Sequence, residues 1–452
     1  MCKSTAKRPA PEWLAKANLY QINPRTFSAD GTLSAITREL PFLAELGFKI
    51  IYICPMFEMD EALDNWSDRQ KASGTGNPKN LYRMNNYFNM DSEFGCFDDL
   101  RELVSEAHKL GLKVLLDLVY YHIGPSAPIL ETHPEFAMHD EHGNIIYSAG
   151  VDTVWHFPRL NFESEGLKEY LWANMVYYVG EFDVDGFRCD VGDWVPADFW
   201  AEGRRRILAV KPDAIMLNEG FDNNHLTKAF DINYTQGWHD SVHDAVIKGA
   251  PVSEIRRWYE AAFVGAPSDA LFMRDVDNHD TVTDWKKRTE VEAGHDGMEL
   301  IQVLNYLIDG VPIVYCGNEL ADTADISMFH SRFYPGKYTA TDRDGIKNTP
   351  ESLKRQALMK KLNALRAECD AISKGSTVWN EADDSNGVIS FTRSFGNESI
   401  IFVANLSSSP CTAELSLGDI SDYKALLISD NAPKVTANVF DLPAKGYIVL
   451  KK

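Results

Sequence analysis

Along the first three-quarters of the chain, short runs of β-branched and aromatic residues alternate with longer stretches whose apolar positions recur every three or four residues. The short runs predict strands over 19–23 (LYQIN), 48–54 (FKIIYIC), 113–119 (KVLLDLV), 184–190 (VDGFRCD), 214–218 (AIMLN), 229–233 (AFDIN), 271–277 (LFMRDVD) and 311–316 (VPIVYC). The clearest helix spans 97–110: Phe97, Leu100, Val104 and Ala107 form one apolar face and Gly111 ends it. Residues 167–179 and 297–308 read the same way but are more apolar all round. Eight strand–helix units predict an α/β fold, a (β/α)₈ TIM barrel rather than an open doubly wound sheet.

Two polar stretches interrupt the alternation. Residues 57–96 separate the second strand from its helix, and 123–166 follow the third strand. Long loops in a compact domain are usually functional or disordered, and both leave carboxyl strand ends, where such barrels carry their sites. After a helix near 351–373 the pattern becomes short strands between turn residues: GVISFTRSF, SIIFVANLS, CTAELSL, YKALLIS and YIVL. That spacing predicts a small antiparallel β-sandwich. The expected organisation is a catalytic barrel over 1–122 and 167–374, a small inserted domain over 123–166, and a C-terminal sandwich over 375–452.

Charge and composition act by exclusion. With 45 basic and 66 acidic side chains the formal charge is −21, which repels nucleic acid and anionic lipid, whereas a neutral substrate is indifferent to it. No apolar run is long enough for a membrane span. The seven cysteines (Cys2, Cys54, Cys96, Cys189, Cys316, Cys369 and Cys411) are widely spaced, with no metal-ligand interval. They read as free thiols, and with no apolar signal region at the N-terminus the expected compartment is cytoplasmic.

Candidate chemistry gathers at predicted strand ends, in DLVYYH (117–122), GFRCDVG (186–192), LNEG (217–220) and VDNHD (276–280). Residues two apart on a strand share a face, so Arg188 and Asp190 point one way and Cys189 the other. A guanidinium beside Asp190 is expected to lower its pKa and hold it ionised, as a nucleophile requires. Glu219 leaves an apolar strand at a turn, where partial desolvation suits a general acid. Asp280, His279 and His122 are placed to bind sugar hydroxyls. Glycoside hydrolysis with retention needs two carboxyls ~5–5.5 Å apart, which neighbouring barrel strands can supply.

With GFRCD, NEG and DNHD in this order and spacing, the chain resembles glycoside hydrolase family 13, the α-amylase family, over nearly its whole length. EFGCFDDLRELVSEAHKLG and VPIVYCGNE are further stretches of this kind. The resemblance implies a retaining enzyme cleaving α-1,4 bonds of starch or maltodextrin, with Asp190 as nucleophile, Glu219 as acid/base and Asp280 as third acid. It implies supporting roles at the same subsite for Arg188, His122 and His279, and stacking of Tyr82 on the bound ring. Within the family the alternatives are an α-glucosidase, a glucanotransferase and a glucosyl isomerase; outside it, a non-catalytic sugar-binding scaffold. The family's usual Asn before the first-segment His, often a calcium ligand, is Tyr121 here. A phenol is a poor calcium ligand, so no cofactor is expected and structural calcium is the alternative. Leu81-Tyr82-Arg83 stands where exo-acting α-glucosidases have Gly-Tyr-Asp, and Gly192-Asp193-Trp194 follows the nucleophile where endo-amylases commonly have Lys-His. Trp194 either stacks on a leaving-group sugar or packs. FPRLN (157–161) resembles the family's specificity segment, and no domain is expected ahead of the first strand.

Overall fold

The computed structural model describes residues 10–149, 154–282, 286–381 and 387–452. Cys2 and the N-terminal stretch lie outside them. Eight parallel strands close into a barrel: β1 (Leu19–Ile22), β2 (Ile50–Ile53), β3 (Lys113–Leu118), β4 (Gly186–Cys189), β5 (Ile215–Asn218), β6 (Ile232–Asn233), β7 (Leu271–Arg274) and β8 (Val311–Tyr315). Neighbours in sequence are neighbours in the barrel, and β8 closes on β1 through Leu19↔Ile313, Tyr20↔Val314 and Gln21↔Tyr315. Every strand foreseen from the pattern is present, most of them shorter than expected. The least regular is β6, reduced to two residues.

Alternation along the strands sorts the side chains. Leu19, Ile50, Tyr52, Leu115, Ile215, Leu217, Ile232, Met273, Val311 and Ile313 fill the barrel, and Leu14 from a short 3₁₀ turn joins them. The intervening residues, such as Ile51, Val114, Leu116, Phe187 and Met216, face the surrounding helices. Gly186 opens β4 because nothing larger fits: a Cβ there would lie 1.9 Å from the Ile215 carbonyl oxygen, and its φ of +140° disfavours any side chain.

The helix Phe97–Lys109 is closed at its start by Asp99, whose Oδ2 accepts the Cys96 N–H at 2.7 Å, and Gly111 follows its end with φ +73°. The all-round apolar helix Glu165–Phe182 is capped by Ser164 and ends at Asp183 in the left-handed region. The two long interruptions are built rather than loose. Residues 57–96 hold the antiparallel pair Phe57–Met59 and Met84–Met90 with a helix, Asp68–Ser73, between them. Residues 123–166 hold the pair Tyr147–Ala149 and Val154–Pro158, and Arg159 bridges back to His122.

Beyond the barrel helix Pro350–Glu368, a five-stranded antiparallel sheet packs on a three-stranded one around Val388, Val403, Phe440, Leu442 and Ile448. Tyr447 of the larger sheet donates to Glu299 of a barrel helix at 2.7 Å. Among the described residues, no helix is long and apolar enough to cross a membrane.

Candidate active site

Above the apolar filling of the barrel, the next inward layer is polar. It holds Gln21, Asp117 and Arg188, and Asp117 and Arg188 are direct partners in the β3–β4 register. One nitrogen of Arg188, Nη1, donates to both oxygens of Asp117 at 2.7 and 3.0 Å and to Asp190 Oδ1 at 3.0 Å. Its Nη2 lies 2.7 Å from Glu219 Oε2, out of line for a hydrogen bond. The guanidinium, wholly buried, thus touches three carboxylates, and its carbon lies 5.8 and 5.6 Å from the ring centroids of Tyr82 and Tyr234. A buried cation with this many partners is held in place by the charges it neutralises.

Asp190 and Glu219 leave neighbouring strands at the same level. Cys189 pairs with Asn218 at the ends of β4 and β5, and the Glu219 N–H donates to the Cys189 carbonyl at 3.1 Å. Between them the backbone turns sharply. Val191 takes φ +38°, ψ +46°, a conformation that costs a β-branched residue on the order of 1–3 kcal/mol. The turn aims the Val191 N–H at Glu219 Oε2, 2.7 Å away.

Asp280 stands across the cleft. Its Oδ1 accepts from Arg69 at 2.8 Å and its Oδ2 lies 3.2 Å from His279 Nε2. His279 is fixed from both sides, with Gln21 Nε2 2.7 Å from Nδ1 and the Tyr82 hydroxyl 2.5 Å from Nε2. The Gln21 amide donates to Nδ1, so the imidazole carries its proton on Nε2. Tyr82 passes its own proton on to Asp117 Oδ2 at 2.9 Å, where Tyr52 donates as well, at 2.7 Å. His122 donates from Nε2 to the Tyr82 carbonyl at 2.8 Å, which leaves Nδ1 a buried acceptor without a protein partner.

Electrostatics follow from burial. Desolvation brings His122 and His279 down to about 4, so both are neutral. It raises Glu219 to about 7 against the pull of Arg188. Asp190 departs from the sequence expectation. Arg188 does pull its pKa down, but desolvation and the neighbouring Glu219 outweigh that pull and lift the carboxyl above its ordinary range. Asp190 and Glu219 therefore behave as a pair that shares one proton. Around Asp280, desolvation is outweighed by His279, which is protonated in the acid range where Asp280 titrates, and by Arg69, and the carboxyl is held below its usual range.

These groups open on a cavity of about 280 Å³ lined by Tyr82, His122, Asp190, Glu219, His279 and Asp280 among others. Of the residues singled out in the sequence, Arg188 lies beneath the floor and Trp194 outside the lining. Trp194 is 41% exposed and stacks on Trp155, centroids 5.6 Å apart, and it is Trp155 that reaches the cavity. Tyr82 uses one face on His279, at 5.3 Å and 17°. Asp117, Gln21, Tyr52, Arg69 and Trp155 were not foreseen. Asp117 had a signal, since its place two after Leu115 puts it inside the barrel opposite Arg188. Arg69 had none.

At the position of the family's usual Asn the chain carries a phenol in place of an amide. Tyr121 is buried, with its ring against Trp194 at 5.0 Å, and the guanidinium of Arg159 lies 5.1 Å from the ring centroid. An aromatic face under a cation offers no oxygen cage. Among the described residues, the one close group of His, Cys, Asp and Glu ligand atoms is Cys54, Asp117 and His279. Asp117 and His279 are already committed to the hydrogen bonds above.

A closed (β/α)₈ barrel with paired carboxyls, a third acid and neutral imidazoles at its carboxyl mouth is the framework of a glycosidase. Comparison with known proteins agrees. The family model for the α-amylase catalytic domain matches residues 16–142. An intracellular maltogenic amylase of Bacillus subtilis is 24% identical over 88% of this chain and 69% of its own. A cyclomaltodextrinase of Geobacillus thermopakistaniensis is 24% identical over 97% of this chain and 77% of its own. Among solved structures, a maltogenic α-amylase of Thermotoga neapolitana superposes with a TM-score of 0.79 at 23% identity, covering 97% of this chain and 99% of that one. By these matches the chain is a glycosidase similar to the α-amylase family, glycoside hydrolase family 13.

Proposed function

We propose that this enzyme hydrolyses α-1,4-glucosidic bonds of maltodextrins with retention, through a glycosyl intermediate on Asp190. The observation that carries this reading is the common level of Asp190 and Glu219 on neighbouring strands, with Arg188 spanning both. Strands ~4.8 Å apart bring carboxyls at one level into the range a retaining pair needs, and leave no room for the water of an inverting enzyme. Glu219, raised to about 7, holds a proton for the leaving oxygen at neutral pH. With that proton in place, Asp190 is the anion of the pair and faces Arg188. Asp280 is an acceptor for sugar hydroxyls, and the His122 ring forms part of the wall beside it. The α-1,4 assignment draws support from relatives named as maltogenic amylase and cyclomaltodextrinase.

Purified protein with maltoheptaose, soluble starch and isomaltotriose tests the reading. Shorter α-1,4 sugars from the first two, first seen as the α-anomer by proton NMR, are the expected products. Release of the β-anomer, or preference for isomaltotriose, would overturn it. Products longer than the substrate would move the activity toward glucosyl transfer.

The reading includes independence from calcium, because Arg159 and Tyr121 tie the inserted segment to the end of β3 where an ion would otherwise do so. Dialysis against EDTA is expected to leave turnover and melting temperature unchanged. A loss that calcium restores would reverse the assignment. A reducing compartment suits the chain as well: Cys54, Cys96, Cys189, Cys316, Cys369 and Cys411 are all free thiols.

A further inference from the structure

Glu219, as general acid, protonates the oxygen of the departing sugar, so the aglycone side of the cleft is the side of Glu219. The glycone side lies beyond Asp190 and Asp280. There the cavity is lined by Ser67, Arg69 and Asn80 from one barrel loop and by Met328 and Phe329 from another. Arg69 crosses the cleft: Nη1 pairs with Asp280 at 2.8 Å and Nη2 donates to the His279 carbonyl at 3.0 Å.

The two loops behind it are welded together. The wholly buried guanidinium of Arg25, paired with Glu93, donates from Nη1 to the Lys79 carbonyl at 3.0 Å and to the Met328 carbonyl at 3.1 Å. Asn77 donates to the Phe329 carbonyl at 3.1 Å, and Gln70, one residue after Arg69, donates to the carbonyls of Asn77 and Pro78 at 2.9 Å each. A wall with this many buried backbone contacts does not swing aside cheaply, because opening it strands carbonyls away from water. The whole cavity, about 280 Å³, lies just below the ~300–1,000 Å³ that house a drug-sized ligand, a volume on the scale of one or two sugar rings. On the Glu219 side, by contrast, Trp194 is 41% and Phe221 59% exposed.

We propose that Arg69 closes the glycone side of the cleft, so that the enzyme attacks α-glucan chains at their non-reducing ends and not in their interior. Arg69 is then a specificity-determining residue. The inference rests on the hydrolytic reading above, and its test separates the two. Three substrates are compared: maltoheptaose labelled at its reducing end, the same compound blocked at its non-reducing end by a 4,6-O-ethylidene group, and a cyclomaltodextrin, which has no end. The expected result is a labelled ladder that shortens one or two units at a time, with the blocked and cyclic sugars cleaved at less than about a tenth of that rate. Arg69→Ala and, independently, Phe329→Ala are expected to raise the blocked-to-unblocked ratio at least fivefold. The ratio is read within each variant, so a loss of overall rate through Asp280 does not mask it. Equal cleavage of blocked and unblocked sugar by the natural enzyme overturns the inference while leaving α-1,4 hydrolysis standing. An unchanged ratio in both variants overturns the role of the wall. No cleavage of any of the three overturns the hydrolytic reading instead.

Discussion

Replacing Asp190 by Asn is expected to lower kcat on maltoheptaose by at least about 10⁴-fold, the scale on which losing a nucleophile registers in enzymes whose groups act as a unit. An amide cannot form the glycosyl ester. The fold has no reason to suffer. Among the described residues, Asp190 is one of four carboxylates, with Asp117, Glu219 and Asp280, gathered around Arg188 and Arg69. Its own carboxyl is lifted by desolvation and by Glu219, so its charged form is disfavoured in the folded state. Asn removes that repulsion and keeps an oxygen for Arg188 Nη1. The melting temperature of the variant should therefore equal or exceed that of the natural protein, and calorimetric titration with maltoheptaose should still show binding. Turnover at anything near the natural rate would place the nucleophile elsewhere. A cooperative loss of fold would contradict the charge argument.

How much of this was legible in the chain depends on the range over which each interaction acts. The barrel was, because its strands are short apolar runs and its helices carry a 3.6-residue period, and both signals are local. The inward face of β4 was legible too: alternation puts Arg188 and Asp190 inside and Cys189 among the helices, as found. The contents of 57–96 were not. Polar composition reads as loop, yet the helix Asp68–Ser73 and the hairpin are held by non-local partners such as Asp280 and Arg25. Arg69 belongs to that class. Nothing in its neighbourhood marks it, and its role exists only because residue 280 is folded against it.

The charge state of the site was misread for a related reason. From sequence, Arg188 beside Asp190 implies a depressed carboxyl. The same guanidinium is in fact shared with Asp117, its cross-strand partner, and with Glu219. One cation divided among three acids in a desolvated layer holds none of them as an isolated salt bridge would. Asp117 rises as well, through burial. The number of claimants is a tertiary fact, and it decides which carboxyl carries the proton.

That proton gives the second large effect. As the proposed general acid, Glu219 must be protonated to release the leaving sugar, and its pKa is raised to about 7, so activity on maltodextrin should fall as pH rises through about 7, where the acid form is lost. Glu219→Gln removes the titrating group along with the proton. Turnover of maltoheptaose should drop by ~10²–10⁴-fold, the usual worth of positioned acid catalysis, and the alkaline limb should disappear. The loss should depend on the leaving group. A nitrophenyl α-glucoside departs without help, so its first step should be nearly spared in the variant. The second step, which needs Glu219 as base toward water, then becomes limiting. Azide, a nucleophile needing no base, should restore turnover and give an α-glucosyl azide, because attack from the face vacated by the phenol inverts the ester on Asp190 a second time. Equal losses on both substrates, or an alkaline limb that survives in Glu219→Gln, would assign the acid to another residue.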